Sequence, residues 1–475
     1  MSSPILYISL LAVYFVFLVL VGFITQKGTK SSSDYLIGGR RIGAMVSSFS
    51  FVAAYFSSVV IIGGGAFGYL YGLSTLWVAA INVLLGCFLA WVVLGKKTRE
   101  LTARYNAVTL PDFFAKRYQI PFARVFVSIV ICLFLIVYNV SILKGLGDTF
   151  HVLLEIPYMW GVILSGLIVL IYVSFGGYLA VVWTGFIQAI IMGTGLVLLL
   201  TNTLRATGGM SAGVRALNAI NEGLVQTPGI WGFPGLLSYI LIVSFGVWGM
   251  PQMLARFYSI KDNKAIRWGT VFATVGGAMA FIPYLTGAFA RIQFPDLANA
   301  DQAIPMMVNE FMPPLAIAIF FVGVIAAGMS TFSSVLIISS GAMVRDLLKK
   351  SFSIQLSEKK EIRWSMMTNM IVGLISILLA LNPPGLVLTL TAFSWAIIAS
   401  TCLAPFLLGL YWNGTTRTGV ICSMIGGFVI SLTWMLLGQP FGLHGFIPGV
   451  ASSFLLLTVV SWLTKDKVSI AFEGY

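Results

Sequence analysis

One apolar stretch, Ala327-Gly328-Met329-Ser330-Thr331-Phe332-Ser333-Ser334, places hydroxyls at positions 330, 331, 333 and 334. Neutral oxygens of this kind hold a dehydrated alkali cation when carbonyls released from a broken helix complete the shell. In a membrane the same hydroxyls also satisfy their own helix or a neighbour. The stretch by itself leaves both uses open.

Groups for other chemistries are missing where they would be needed. None of the fifteen acidic residues lies in the middle of an apolar stretch. Proton-driven carriers usually need a titratable group at membrane depth. His151 and His444 are far apart, and Cys87, Cys132, Cys402 and Cys422 lie in apolar stretches without metal or redox spacing. Gly63 to Gly68 matches G-x-G-x-x-G, but it follows no evident strand and has no acid about 20 residues later. No phosphate-binding loop, zinc-protease motif or nucleophile elbow occurs. The expectation is a chain that is not an enzyme, has no cofactor and is not itself an ATP-driven pump.

The elements that must position the hydroxyls are membrane spans. Of 475 residues 59% are hydrophobic and 9% charged, against about 25% charged in soluble proteins. A spanning helix needs about 20 mostly apolar residues. Thirteen segments qualify: 5–25, 43–72, 75–95, 121–144, 157–175, 178–204, 231–257, 267–291, 313–345, 364–381, 384–411, 418–437 and 443–464. With the N-terminus outside, only Lys144, Arg205, Arg215 and Arg291 of the 28 basic residues fall outside. The others, through Lys465 and Lys467 near the end, lie inside, as cytoplasmic loops require. The net charge of +13 therefore reflects loops facing the cytoplasm rather than nucleic-acid binding. No cleavable leader is evident, since the first basic residue, Lys27, follows the first apolar run.

Two segments look broken. The second carries Ser57 and Ser58, then Gly63, Gly64 and Gly65; the seventh carries Ser244 through Pro251. Unwound backbone at membrane depth is tolerated only around a cavity or inside protein. The breaks are five segments apart, as in an inverted five-plus-five repeat with halves at about 43–204 and 231–411. The alternative use of Gly64, Gly68 and Gly72 is close helix packing.

Four stretches together resemble the sodium:solute symporter family. Gly176-Gly177-Tyr178 through Trp183-Thr184-Gly185-Phe186-Ile187-Gln188 is similar to a family signature. Phe245 to Gln252 with Ala255-Arg256-Phe257 resembles the broken seventh span of its proline and pantothenate carriers. Ala326 to Thr331 resembles its ninth-span sodium motif, and the run from Leu403 to Gly427 is also similar. The resemblance implies an all-α polytopic membrane protein of about thirteen helices, with a core like that of the bacterial leucine transporter. It implies secondary active transport, with sodium as the coupling ion, of a small solute such as proline, a monocarboxylate or a pantothenate-like compound. A cell membrane would be the location, and no obligatory protein partner is evident. An uncoupled facilitator or channel, or a transporter-like sensor, is the alternative; the sensor would need a signalling domain, and none follows Tyr475.

The resemblance also implies site residues. Sodium would meet the carbonyls of Ala53, Phe56 and Ala327 and the hydroxyls of Ser330 and Thr331. The solute wall would draw on Ser57, Gly63, Ser244, Trp248, Tyr138 and Gln188. Many members have an aspartate where Gly185 stands, and its loss favours one sodium per cycle. Val59 and Val60 disfavour sugar. Tyr55, Val243 and Val247 depart from the proline carrier.

Overall fold

The computed structural model describes residues 4–464, so Lys465, Asp466, Lys467 and Glu473 lie outside them. Among the described residues the chain is helical, with one isolated bridge between Ile42 and Ile260 and no strand. Eleven helices are long and apolar enough to cross a membrane. Val59–Arg104 and Tyr158–Ala206 each run across a boundary between the thirteen expected segments, while the half-helices Ala44–Tyr55 and Pro251–Ser259 are too short to be among the eleven. Inside the second of these, Gly177 adopts φ 59° and ψ −154°, a left-handed-side conformation that favours glycine.

The breaks set the centre of the fold. Ala44–Tyr55 ends where the Phe56 amide donates to the Val52 carbonyl at 2.8 Å, and Phe56 turns to ψ 63°. The chain is helical again by Val59, whose amide donates to Ser57 Oγ at 3.2 Å. The unwound residues are thus Phe56 and Ser57, whereas Ser58, at φ −50° and ψ −25°, is already helical, as are Gly63, Gly64 and Gly65. Those glycines serve packing instead, a Cβ on Gly65 lying 2.1 Å from Ile304 Cγ1, and so does Gly68, where a Cβ would lie 2.1 Å from the Tyr284 carbonyl oxygen. In the seventh segment Gly232–Gly249 stops at Met250, with ψ 119°, and Pro251–Ser259 begins. Proline fits a first helical position because its missing N–H would have no partner there.

Pro314–Ser340, which carries the hydroxyl stretch, packs along Tyr158–Ala206, Pro121–Leu154 and Ala44–Tyr55. Val387–Tyr411 packs against Pro121–Leu154 and Gly232–Gly249. These two helices are the most enclosed of the eleven, and Leu6–Gln26 and Phe446–Leu463 are among the least. The exposed large apolar residues, such as Val13, Val16, Leu455 and Trp462, belong to the outer helices.

Candidate ion and solute site

The break in the second segment frees carbonyls. The last turn of any helix leaves its carbonyls without intrahelical donors, and in Ala44–Tyr55 these include Ala53 and Ala54. The hydroxyl helix supplies the missing donors. Ser330 Oγ lies 2.8 Å from the carbonyl oxygens of both Ala53 and Ala327. Thr331 Oγ1 lies 2.9 Å from the Ala54 carbonyl and 3.3 Å from that of Ala327. Adjacent helical residues point about 100° apart, so the two hydroxyls bridge to successive carbonyls of the facing helix end. Ser330 and Thr331 are fully buried.

The donor set suits a hard monovalent cation. It contains only neutral oxygens, and among the described residues no cluster of His, Cys, Asp and Glu could hold a metal. An ion of calcium's size, which sodium matches, keeps oxygens about 2.4 Å away, and neighbouring ligands then sit about 3.4 Å apart. The present separations of 2.8–3.3 Å need only a few tenths of an ångström of spreading. Of the five expected residues, Ala53, Ala327, Ser330 and Thr331 come together. Phe56 lies at the break but makes no hydrogen bond with this group, and Ala54, which sequence reasoning missed, takes the Thr331 hydroxyl.

A cavity of about 20 Å³ lies on the other side of the break. Ser57 and Tyr138 line it as expected, joined by Tyr55, Tyr284, Thr391 and Trp395. Val59, Val60 and Val243 complete a largely apolar wall without a charged side chain. The Trp395 indole is buried against Tyr138: the two rings meet edge-on at 5.7 Å, and the indole N–H lies within hydrogen-bonding reach of the Tyr138 hydroxyl. Sequence reasoning missed Trp395 and Thr391. The polar spacing of Thr389, Thr391, Ser394 and Trp395 within an apolar segment was the available signal.

Gly63, Trp248 and Gln188 do not line this cavity. Gly63 packs on Leu388, whose backbone nitrogen would lie 3.0 Å from an added Cβ. Trp248 donates its indole N–H to the Leu85 carbonyl at 3.0 Å, which anchors it to the neighbouring helix. Gln188 donates to Tyr14 Oη at 2.6 Å and so faces the first helix. Ser244 is buried beside the wall residue Val243, with its own hydroxyl unpartnered. Gly185 lies against the half-helix, where a Cβ would come 3.0 Å from Ser50 Oγ.

The sequence profile of the sodium:solute symporter family matches residues 35–427. The chain belongs to the sodium:solute symporter family. The osmoregulated proline transporter of Bacillus subtilis (strain 168) is 30% identical over 98% of this chain and 96% of its own length. The sodium/pantothenate symporter of Escherichia coli (strain K12) is 32% identical over 92% of this chain and 90% of its own. Among solved structures, a substrate-bound, outward-open Na+-coupled sialic acid symporter superposes with a TM-score of 0.81. It is 18% identical, covering 96% of this chain and 98% of that one. The match extends over the whole described fold, so this symporter is a multi-pass membrane protein built on the core shared with such carriers. Sodium-coupled symport is its activity, and its family consists of transporters.

Proposed function

We propose that one sodium ion, bound by Ala53, Ala54, Ala327, Ser330 and Thr331, drives uptake of a small amino acid or monocarboxylate held by Ser57, Tyr138, Thr391 and Trp395. The observation that carries this reading is the meeting of the two hydroxyls with the freed carbonyls of the half-helix. Ser57 stands three residues after Ala54, so an ion that fixes the end of the half-helix also fixes one wall of the solute cavity. Binding of either then favours binding of the other, as linkage requires. The cavity is too small in this arrangement for a solute, and entry requires its walls to separate, as alternating access demands.

The wall favours a compact solute with one anionic end. It has no fixed charge, so a carboxylate would rely on the sodium ion, the helix start near Val59 and the Trp395 N–H beside Tyr138. The relatives that carry proline and pantothenate transport solutes of this kind. The valines disfavour sugar. The loop charges support an outside N-terminus and an inside C-terminus in the cell membrane, and the breaks support core halves at about 43–204 and 231–411 of one transmembrane domain.

The test is uptake into proteoliposomes of labelled proline, other amino acids, short monocarboxylates, pantothenate and sugars, with and without an inward sodium gradient. We expect accumulation of an amino acid or monocarboxylate only with the gradient. Equilibration that ignores sodium would make the chain an uncoupled facilitator, and accumulation of a sugar would overturn the reading of the wall.

A further inference from the structure

Arg256 is 1% exposed, on the half-helix Pro251–Ser259 that follows the second break. Its Nη1 donates to the Gln252 carbonyl at 2.6 Å. Its Nη2 donates to Ser334 Oγ at 2.7 Å and reaches Ser50 Oγ at 3.5 Å. The guanidinium lies 5.9 Å from the centre of the Tyr178 ring, and Nε is buried without a partner. The ion pairs among the described residues all involve other groups. Buried charges are ordinarily paired, because desolvation is expensive. Here four neutral groups surround the cation instead, and Gly185, beside Ser50, contributes no side chain.

The charge is wired to the ion site. Ser334, which accepts from Arg256, donates its own hydroxyl to the Ser330 carbonyl at 2.7 Å. The side chain of that same Ser330 contacts the Ala53 carbonyl. Two hydrogen bonds therefore separate a permanent, uncompensated positive charge from a residue proposed to hold sodium.

We propose that Arg256 sets the sodium affinity of this symporter, its buried charge opposing the bound ion so that the ion leaves readily after the solute has gone. The inference rests on the proposed ion site. At an effective dielectric of about 20, any unit charge on the order of 10 Å from a cation weakens its binding by on the order of tenfold. Arg256 acts through Ser334 and touches neither ion nor solute, so it is a positioning and tuning residue. A strut role predicts the opposite sign, since removing a strut loosens the oxygen cage and weakens binding.

Equilibrium binding of 22Na+ to the purified full chain separates the two. Arg256→Gln should tighten sodium binding about tenfold, and Arg256→Lys, which keeps the charge, should stay near wild type. Unchanged or weaker binding in folded Arg256→Gln would overturn the proposal. Ser50→Asp gives a second approach if Arg256→Gln does not fold, because it places a carboxylate beside the guanidinium and leaves the arginine in place. It too should tighten binding, and failure to do so counts against the proposal equally. Ser330→Ala, measured in parallel, keeps the two readings apart. Undiminished binding there refutes the placement of the ion, whereas loss there with no gain in the other variants refutes only the role of Arg256.

Discussion

Ser330 and Ala53 stand 277 positions apart in the chain, and the hydroxyl of one lies 2.8 Å from the carbonyl of the other. The contact joins the hydroxyl helix to the end of a half-helix that has lost its own donors. A neighbouring bond from Thr331 to Ala54 makes the junction bidentate. Two weak local signals, a serine-threonine pair and an interrupted apolar segment, thereby become one oxygen cage.

Replacing Ser330 or Thr331 by alanine removes one neutral oxygen from this cage. Leaving a buried partner unsatisfied costs about 1–3 kcal/mol, or roughly a 5- to 150-fold weaker sodium affinity. Solute affinity at fixed sodium should fall as well, and high sodium should partly restore it. Ser339→Ala is the control, since that hydroxyl bonds only the Val335 carbonyl of its own helix. Normal sodium dependence of uptake in the double variant would remove the ion from this place.

Two tryptophans make a contrasting pair. Trp395→Phe deletes an indole N–H from the cavity wall beside Tyr138, so the Michaelis constant for solute should rise several-fold with protein yield little changed. Trp248→Phe deletes the bond to Leu85, so yield and melting temperature should fall while solute affinity holds. The opposite pattern in a side-by-side uptake and melting experiment would return Trp248 to the solute wall.

Membrane class and the existence of both breaks were legible because each rests on local composition, whereas the boundaries near 73 and 176 were not, since Val59–Arg104 and Tyr158–Ala206 run across them. The resemblance named Ala53, Ala327, Ser330 and Thr331, which the fold brings within hydrogen-bonding distance of one another, and Phe56, which it does not. Phe56 and Ala54 differ by half a helical turn, and only the true end of the helix, at Tyr55, decides which carbonyl meets Thr331. The solute wall was less legible. Trp248 and Gln188 have the right types on the right segments, but helix rotation turns them toward Leu85 and Tyr14, and Gly63 packs behind the cavity residue Leu388. Rotation is set by packing between distant segments, which sequence periodicity does not reveal when a helix is apolar all round.

Because the cavity wall and the ion cage contain no carboxylate or histidine, collapse of the proton gradient at constant sodium gradient should leave initial uptake nearly intact. Uptake into vesicles treated with a protonophore, under a clamped membrane potential, measures this. Transport that followed protons and ignored sodium would be the contrary result.

Close approach of Gly64–Tyr71 to Phe281–Gln293 depends on absent side chains. A Cβ on Gly287 would lie 1.9 Å from the Gly65 carbonyl oxygen, a backbone atom that cannot swing aside. Gly287→Ala should therefore destabilise the protein by about 1–3 kcal/mol or more through overpacking. Gly193→Ala meets only the flexible end of Met279 at 3.4 Å and should be nearly neutral. Melting temperatures of the two variants in detergent should differ accordingly, and equal values would show that the helices part without cost.

Sodium stoichiometry turns on Gly185. Among the described residues no carboxylate forms an ion pair with Arg256, and Gly185 offers no side-chain oxygen beside Ser50. The polar space between Ser50 and Ser334 already holds the guanidinium of Arg256, and a second cation there would meet a like charge. Initial uptake should therefore rise with sodium along a curve of Hill coefficient near one, and reversal-potential measurements should count one sodium per solute. A reproducible coefficient near two, with two sodium ions counted, would require a second site that tolerates Arg256 as its neighbour.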